Sequence, residues 1–266
     1  MKHYIITRFA SWLSPCSGMT LDELFSDEYL RDSFVKLQNA LISTLENQTN
    51  KNFELIITIH DNIPLEKVNF LNDISTHFKI RVLRSSDIMT FIQNNTKNED
   101  TVIFSRVDID DYILNSVIDD IHNIVNECND DYVLLGLYDG ATFTKDDNIV
   151  CTHHFNYGKN GASSIMITVA CKNKTHHEYL NSCNISPVNY DHTQMFNQII
   201  NKINSKYTYS IHFLKNSLTP LYLWTCWGNN GTILTKQKLN KDINWHTTNT
   251  VLHIDFKKYS KYDIFS

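Results

Sequence analysis

Apolar residues fall in short runs, and the spacing inside those runs alternates between two kinds along the first half of the chain. Tyr4-Ile5-Ile6-Thr7-Arg8-Phe9 is rich in β-branched and aromatic residues and predicts a first strand. Pro15, Ser17 and Gly18 mark a loop. Leu30, Phe34, Leu37, Leu41 and Leu45 recur at helical spacing. Phe53 to Ile59 predicts strand two, ending at His60-Asp61-Asn62 before Pro64. Leu65 to Phe78 reads as a helix and Ile80 to Arg84 as strand three. Asp87 is placed to cap a helix through Gln93. Thr101 to Phe104 predicts strand four, and Ile113 to Val125 a helix with Ile113, Val117, Ile121 and Ile124 on one face. Strands alternating with helices in this way predict a mostly parallel, doubly wound α/β sheet with helices on both faces.

The second half is less regular. Tyr132 to Leu137 and Ser164 to Val169 read as strands around a polar loop, Asp191 to Asn204 as a helix, and the stretch after Tyr207 as aromatic and loop-rich. Neither a repeat nor a linker divides the chain. The expectation is one domain over 1–266, with a nucleotide-binding half over about 1–130 and an irregular acceptor-binding half over about 131–266.

Composition narrows the classes. The 266 residues are 42% hydrophobic and 20% charged, with net charge −5, which disfavours a nucleic-acid binder relying on bulk positive charge. No apolar run is long enough to span a membrane. The N-terminal apolar stretch is too short for a secretion signal, so the expected location is the cytoplasm, or the host cytoplasm for a viral protein. The six scattered cysteines contain no Cys-x-x-Cys pair and read as thiols.

The chemistry concentrates after strand four, where Ser105-Arg106-Val107 runs into Asp108-Ile109-Asp110-Asp111. Ligands of α/β proteins bind at the carboxyl ends of strands. Carboxylates are hard oxygen donors suited to Mg²⁺ or Mn²⁺, and the guanidinium of Arg106 suits phosphate. On an extended segment Asp108 and Asp110 would point to one side. The plainer alternative makes these acids loop residues, with Asp111 an N-cap. Thr7, Arg8, Asp61 and Arg84 end the other strands, and a parallel sheet brings such ends to one edge. Together they suit a nucleobase and its phosphates; singly each is an ordinary polar strand end. Among His153-His154, His176-His177 and Asp191-His192, the last pair is the candidate general base, with Asp191 as a helix cap the alternative. Gly-rich phosphate loops, Gly-x-Ser-x-Gly and His-Glu-x-x-His are absent.

Thr7-Arg8-Phe9, Phe53 to Asp61 and Ser105 to Asp111 together resemble the GT-A nucleotide-sugar glycosyltransferases. More narrowly, they resemble the rhamnosyltransferase-like family of bacteria and large DNA viruses, whose Thr-Arg-Leu-Asp-x-Asp-Asp signature the third segment approaches. Gly136, Ser163-Ser164 and Pro220 to Asn230 are weaker echoes.

The resemblance implies a GT-A-like fold and a metal-dependent transfer of a sugar, such as rhamnose, from a nucleoside-diphosphate donor, UDP-linked, to a glycan hydroxyl. It implies ribose and Mn²⁺–diphosphate contacts for Asp108 and Asp110, and base recognition by Thr7, Asp61 and Arg84. In the family a His precedes a late Gly; here Trp227 stands before Gly228, which leaves His212 or His246, or phosphates and water, to complete a metal shell. Two other classes stay open. A nucleotidyltransferase would carry a Gly-rich loop after strand one, where this chain has Ala10-Ser11-Trp12-Leu13-Ser14. A non-catalytic carbohydrate-binding protein would bind glycan without nucleotide or metal.

Overall fold

The computed structural model describes residues 1–10, 19–137, 139–143, 150–154, 166–176, 200–201, 207–214 and 221–225, with the backbone alone for 139–143, 150–154 and 222–225. Seven strands build the main sheet: β1 (Lys2–Arg8), β2 (Glu54–Ile59), β3 (Lys79–Arg84), β4 (Val102–Arg106), β6 (Tyr132–Leu137), β9 (Ile167–Cys171) and β10 (Tyr209–Leu214). Their order is β10-β6-β9-β4-β1-β2-β3. Every neighbouring pair is parallel except those made by β9, which runs antiparallel to both β4 and β6. A smaller sheet joins β5 (Tyr112–Ile113), β11 (Tyr222–Thr225), β7 (Asp139–Phe143) and β8 (Val150–His154). The expected mostly parallel α/β sheet with helices on both faces is present.

Alternation along each strand divides the core between two faces. Ile5, Phe9, Leu55, Ile57 and Ile103 face Leu30 of α2 (Asp27–Lys36), Leu45 of α3 (Ser43–Glu46), and Val117, Ile118 and Ile121 of α5 (Val117–Glu127). Tyr4, Ile6, Ile56 and Phe104 face Ile88 and Ile92 of α4 (Ile88–Thr96). The single turn of α1 (Leu21–Leu24) opens with a reciprocal cap between Thr20 and Glu23. A π-helical stretch, Leu37–Ile42, joins α2 to α3 and keeps Leu37, Leu41 and Leu45 buried.

One polar chain crosses the first face. Asn50 Nδ2 lies 3.1 Å from His122 Nδ1, and His122 Nε2 lies 3.0 Å from His3 Nδ1. His3 Nε2 lies 2.8 Å from Ser105 Oγ, which lies 2.6 Å from Thr168 Oγ1. The chain stitches α5 to β1, β4 and β9. Each such bond adds about 0.5–1.5 kcal/mol net, against roughly 1.5–3 kcal/mol for each fully buried Ile, Leu or Val. The apolar faces therefore dominate stability, and the chain fixes how α5 sits on the strands.

Four expectations change. Leu65 to Phe78 forms two 3₁₀ turns, Leu65–Lys67 and Asn69–Asp73, rather than a helix. Asn69, Asn72, Asp73 and the β-branched Ile74 and Thr76 are weak helix formers, and Leu65 is exposed, so a helix here would bury little. The helix expected from Ile113 starts at Val117, because Tyr112–Ile113 is a strand of the smaller sheet. Asp111 is therefore not its N-cap; Ser116 holds that position without a side-chain capping bond. After Tyr207 the described residues contribute β10 and β11. Asp87 does precede α4, but its side chain makes no capping bond. Of the helix expected over Asp191 to Asn204, residues 200–201 are described and are helical. Cys128 and Cys171 carry thiols. No helix among the described residues is long and apolar enough to cross a membrane.

Candidate functional site

From β1 the chain steps outward to β2 and β3 on one side, then returns to place β4 on the other. The carboxyl ends of β1 and β4 thus flank a topological switch point, where parallel sheets open a crevice for ligands. The sequence delivers a cation to each side. Arg8 is the last residue of β1 and Arg106 the last of β4. Both fall on the face shared with Tyr4, Ile6 and Phe104.

Asp108 sits between them. Arg8 Nη2 donates to Asp108 Oδ1 at 3.5 Å and Arg106 Nη2 donates to the same oxygen at 3.4 Å. These are long for charge-assisted bonds, so Asp108 is held between two cations without being closed by either. The three side chains form a gradient of depth: Asp108 is 33% exposed, Arg8 17% and Arg106 1%. Arg106 thus supplies positive charge from beneath the site, while Arg8 and Asp108 reach its surface.

Residues 107–110 are not extended as expected. Asp111 N–H donates to the Asp108 carbonyl at 3.4 Å and closes a turn. The turn leaves Asp108 and Asp110 half-buried and sends Asp111 inward, where it is 3% exposed. Asp111 Oδ1 has no hydrogen-bond partner among the described residues. Burial pushes the Asp111 carboxyl well above the ordinary carboxylate range, and the negative charges of Asp110 and Asp108 push it further. Burial likewise raises the neighbouring Tyr112 phenol. The buried Asp111 is thus favoured in its neutral form, while Asp108 and Asp110 stay nearer the surface.

The other strand ends meet along the same edge in the order Arg84, Asp61, Thr7 and Arg8, then Arg106 and Asp108. Thr7 is buried at 1% exposure, on the opposite face from Arg8, and its Oγ1 has no partner among the described residues. Asp61 is exposed, and its Oδ1 accepts the Ser86 N–H at 2.9 Å. That bond is the main reason its carboxyl is held below the usual range, with His60 and Arg84 adding to the effect. Arg84 donates into the loop after β2, to the carbonyls of His60, Asp61 and Ile63. Sequence reading missed Ala10, which ends the β1 run at φ 47°, a left-handed value uncommon outside glycine. Its carbonyl accepts the His60 N–H at 3.3 Å and ties the β1 end to the β2 loop. Nothing in the residue type alone signals it.

The histidines divide. His212 lies on β10, three strand spacings from β4 and so about 14 Å away. That distance removes it as a substitute ligand beside Asp110. Buried His176 has Nε2 3.0 Å from the Thr96 carbonyl. His153 and His154 lie on β8. Asp191, His192, Trp227 and His246 lie outside the described residues. Among the described residues no group of three or more His, Cys, Asp or Glu is gathered to hold a metal ion. Asp108 and Asp110 supply two carboxylates, the number that Mg²⁺ or Mn²⁺ commonly takes from protein when phosphate and water complete its shell.

A family model described as “Putative rhamnosyl transferase” matches residues 18–201. Among solved structures, TarS of S. aureus, residues 1–349 in complex with UDP, is similar at 15% identity and a TM-score of 0.42, over 85% of this chain and 61% of that one. A “putative nucleotide-diphospho-sugar transferase” of Desulfovibrio desulfuricans G20 is similar at 7% identity and 0.44, over 93% and 92%. The 4-diphosphocytidyl-2C-methyl-D-erythritol synthase of Anaerococcus prevotii is similar at 13% identity and 0.41, over 90% and 96%. The chain spans about three fifths of the TarS 1–349 structures. No protein of curated function matches the sequence.

Proposed function

The chain belongs to the rhamnosyl transferase family, and on that premise we propose that it is a metal-dependent glycosyltransferase. It moves a sugar, rhamnose by the family's description, from a nucleoside diphosphate, UDP, to a hydroxyl of a glycan. It works as one domain over 1–266, the donor held by the first half and the acceptor by the second. The observation that carries this reading is Asp108, suspended between Arg8 and Arg106 at the switch point of the sheet.

The roles follow from depth and charge. Asp108 is exposed enough to accept from ribose hydroxyls while the two guanidiniums keep it aimed. Arg8, nearer the surface, meets the diphosphate; Arg106 reinforces it from below. A divalent cation would suit the two half-buried carboxylates of the turn: Asp110 and Asp108 would hold it, with phosphate and water as its other partners. When bound, such an ion neutralises the charge that gathers on the diphosphate as it leaves. Asp61, ionised and exposed at the next strand end, accepts from the base edge. For transfer with inversion, Asp191 takes the acceptor proton, with His192 as the neighbouring candidate.

Transfer and donor hydrolysis, measured with a panel of sugar nucleotides with and without Mn²⁺, test this reading. Asp110→Ala is expected to lower kcat/KM by about a hundredfold or more, the scale of losing a leaving-group contact. Nucleotide binding indifferent to metal, together with an Asp110→Ala variant as active as the parent, overturns it. Release of pyrophosphate from a nucleoside triphosphate and a sugar phosphate would assign a nucleotidyltransferase instead.

A further inference from the structure

The β2–β3 corner is built more firmly than a surface loop requires. Ile59 pairs with Arg84 in register, so the two parallel strands finish side by side. From there the segment 84–86 reaches across to residues 59–63 through four donor atoms. Arg84 Nη1 donates to the carbonyls of His60, at 3.5 Å, and Asp61; Arg84 Nη2 donates to that of Ile63 at 3.4 Å. Ser85 Oγ donates to the Ile59 carbonyl at 3.1 Å, and Ser86 N–H to Asp61 Oδ1 at 2.9 Å.

The loop also folds on itself. Asn62 N–H donates to His60 Nδ1 at 3.0 Å and Ile63 N–H to the His60 carbonyl at 3.2 Å. The His60 ring stands edge-on to Phe25, with centroids 5.3 Å apart. Its two ends are fixed, by Ala10 on one side and buried Ile63 on the other. Asp61 and Asn62 at its crest are exposed.

Water could satisfy these carbonyls, so folding does not demand Arg84 here. What a planar fork adds is one shape for three carbonyls at once. A loop already in its binding shape loses less freedom when a ligand docks.

We propose that Arg84 is a positioning residue for nucleobase discrimination: its guanidinium sets the 60–63 loop so that Asp61 is presented to the base edge in one geometry. This rests on the nucleotide-sugar reading above, and it takes Arg84 away from direct contact with phosphate. The occupant of the crest is the base of a nucleoside diphosphate, because Asp61 stands one strand further from the Asp108 turn than Arg8 does.

The test is calorimetric binding of UDP, dTDP, GDP, CDP and inorganic pyrophosphate in Mn²⁺ to the full chain and to Arg84→Ala and Arg84→Lys. Amide exchange at residues 60–63 and 86 is followed in parallel. Arg84→Ala is expected to lose roughly tenfold in affinity for the preferred nucleotide, about one loop-ordering penalty. Its preference among bases should flatten, its pyrophosphate affinity should hold, and the Ser86 amide should exchange faster. Arg84→Lys, whose ammonium cannot present parallel donors, should not restore the preference; where the Ala variant fails to fold, the Lys variant carries the same comparison.

Equal losses for pyrophosphate and every nucleotide would make Arg84 a phosphate contact and overturn the proposal. Unchanged base preference overturns it as well. A parent protein that binds neither nucleotide nor pyrophosphate overturns the functional reading itself, and faster exchange in its Arg84→Ala variant would then leave Arg84 a purely structural tie.

Discussion

His3 and His122 meet at 3.0 Å inside the fold, and neither has a carboxylate bonded to it to favour a charged ring. Burial, then the nearness of His122, holds His3 well below the ordinary 6.5. Burial also lowers His122, opposed in part by Asp119. The N-terminal ammonium lowers His122 further, and Asn50, Ser105 and Thr168, which carry no charge, supply the remaining hydrogen bonds. An unfolded chain takes up protons on these rings near pH 6.5, whereas the folded one resists. Their contribution to stability is therefore whole above about 6.5 and is lost as the pH falls through and below it. Urea midpoints should be flat above neutrality and decline on acidification. Replacing both rings, His3→Asn with His122→Asn, should shrink that decline; an unchanged slope would place the acid sensitivity elsewhere. None of this was legible in the sequence, where His3 is one histidine among twelve and its partner lies 119 residues away. The acids were legible because strand-then-carboxylate is a local pattern. Their turn was not, because the Asp111 N–H bond that shapes it carries no signature in residue type.

At the scale of elements, the segment following the acids is pinned by α3 and its end. Thr44 Oγ1 donates to the Ile113 carbonyl at 2.7 Å and accepts the Ile113 N–H at 3.0 Å. Gln48 Nε2 donates to the Leu114 carbonyl at 3.0 Å, and its Oε1 accepts the Ile118 N–H at 3.2 Å. One side chain on α3 and one just past its end thus hold β5 and the residues after it from the side away from β11. Thr44→Val keeps the shape and removes both bonds to Ile113, stranding a buried N–H and C=O. It should cost about 1–3 kcal/mol in urea unfolding. The same change should weaken nucleotide binding, since residues 108–111 lead directly into that segment; a stability loss with affinity untouched would separate the two. Helical spacing misled at Ile113 because a two-residue strand leaves no periodicity to read. It misled again over Leu65 to Phe78, where apolar residues recur at helical intervals but the intervening Asn and Asp favour turns.

For the molecule as a whole, the sheet order follows from alternation in the first half. The antiparallel β9 does not, because its partners β4 and β6 are distant in sequence and its direction depends on how the chain returns. Convergence of four strand ends on one edge was foreseeable, and it makes ligand binding a global event. Saturating UDP with Mn²⁺ should stabilise the fold by about 2.7 kcal/mol at a hundred times Kd, and raise Tm by several degrees. A melting curve indifferent to the pair, or unaffected by Asp110→Ala, would count against the site.

The reversed strand has one more result. β6 runs out at Leu137, and β9 begins at Ile167, which pairs with both Gly136 and Arg106. The main sheet is therefore left at Leu137 and re-entered at Ile167 on one rim, beside the carboxyl end of β4, and β7 and β8 between them belong to the smaller sheet. On the proposed division of donor and acceptor between the halves, exchanging residues 138–165 for those of another family member should leave nucleotide affinity as it is while changing which acceptors are used. Loss of nucleotide affinity on grafting would show that the two tasks are not separable along this boundary.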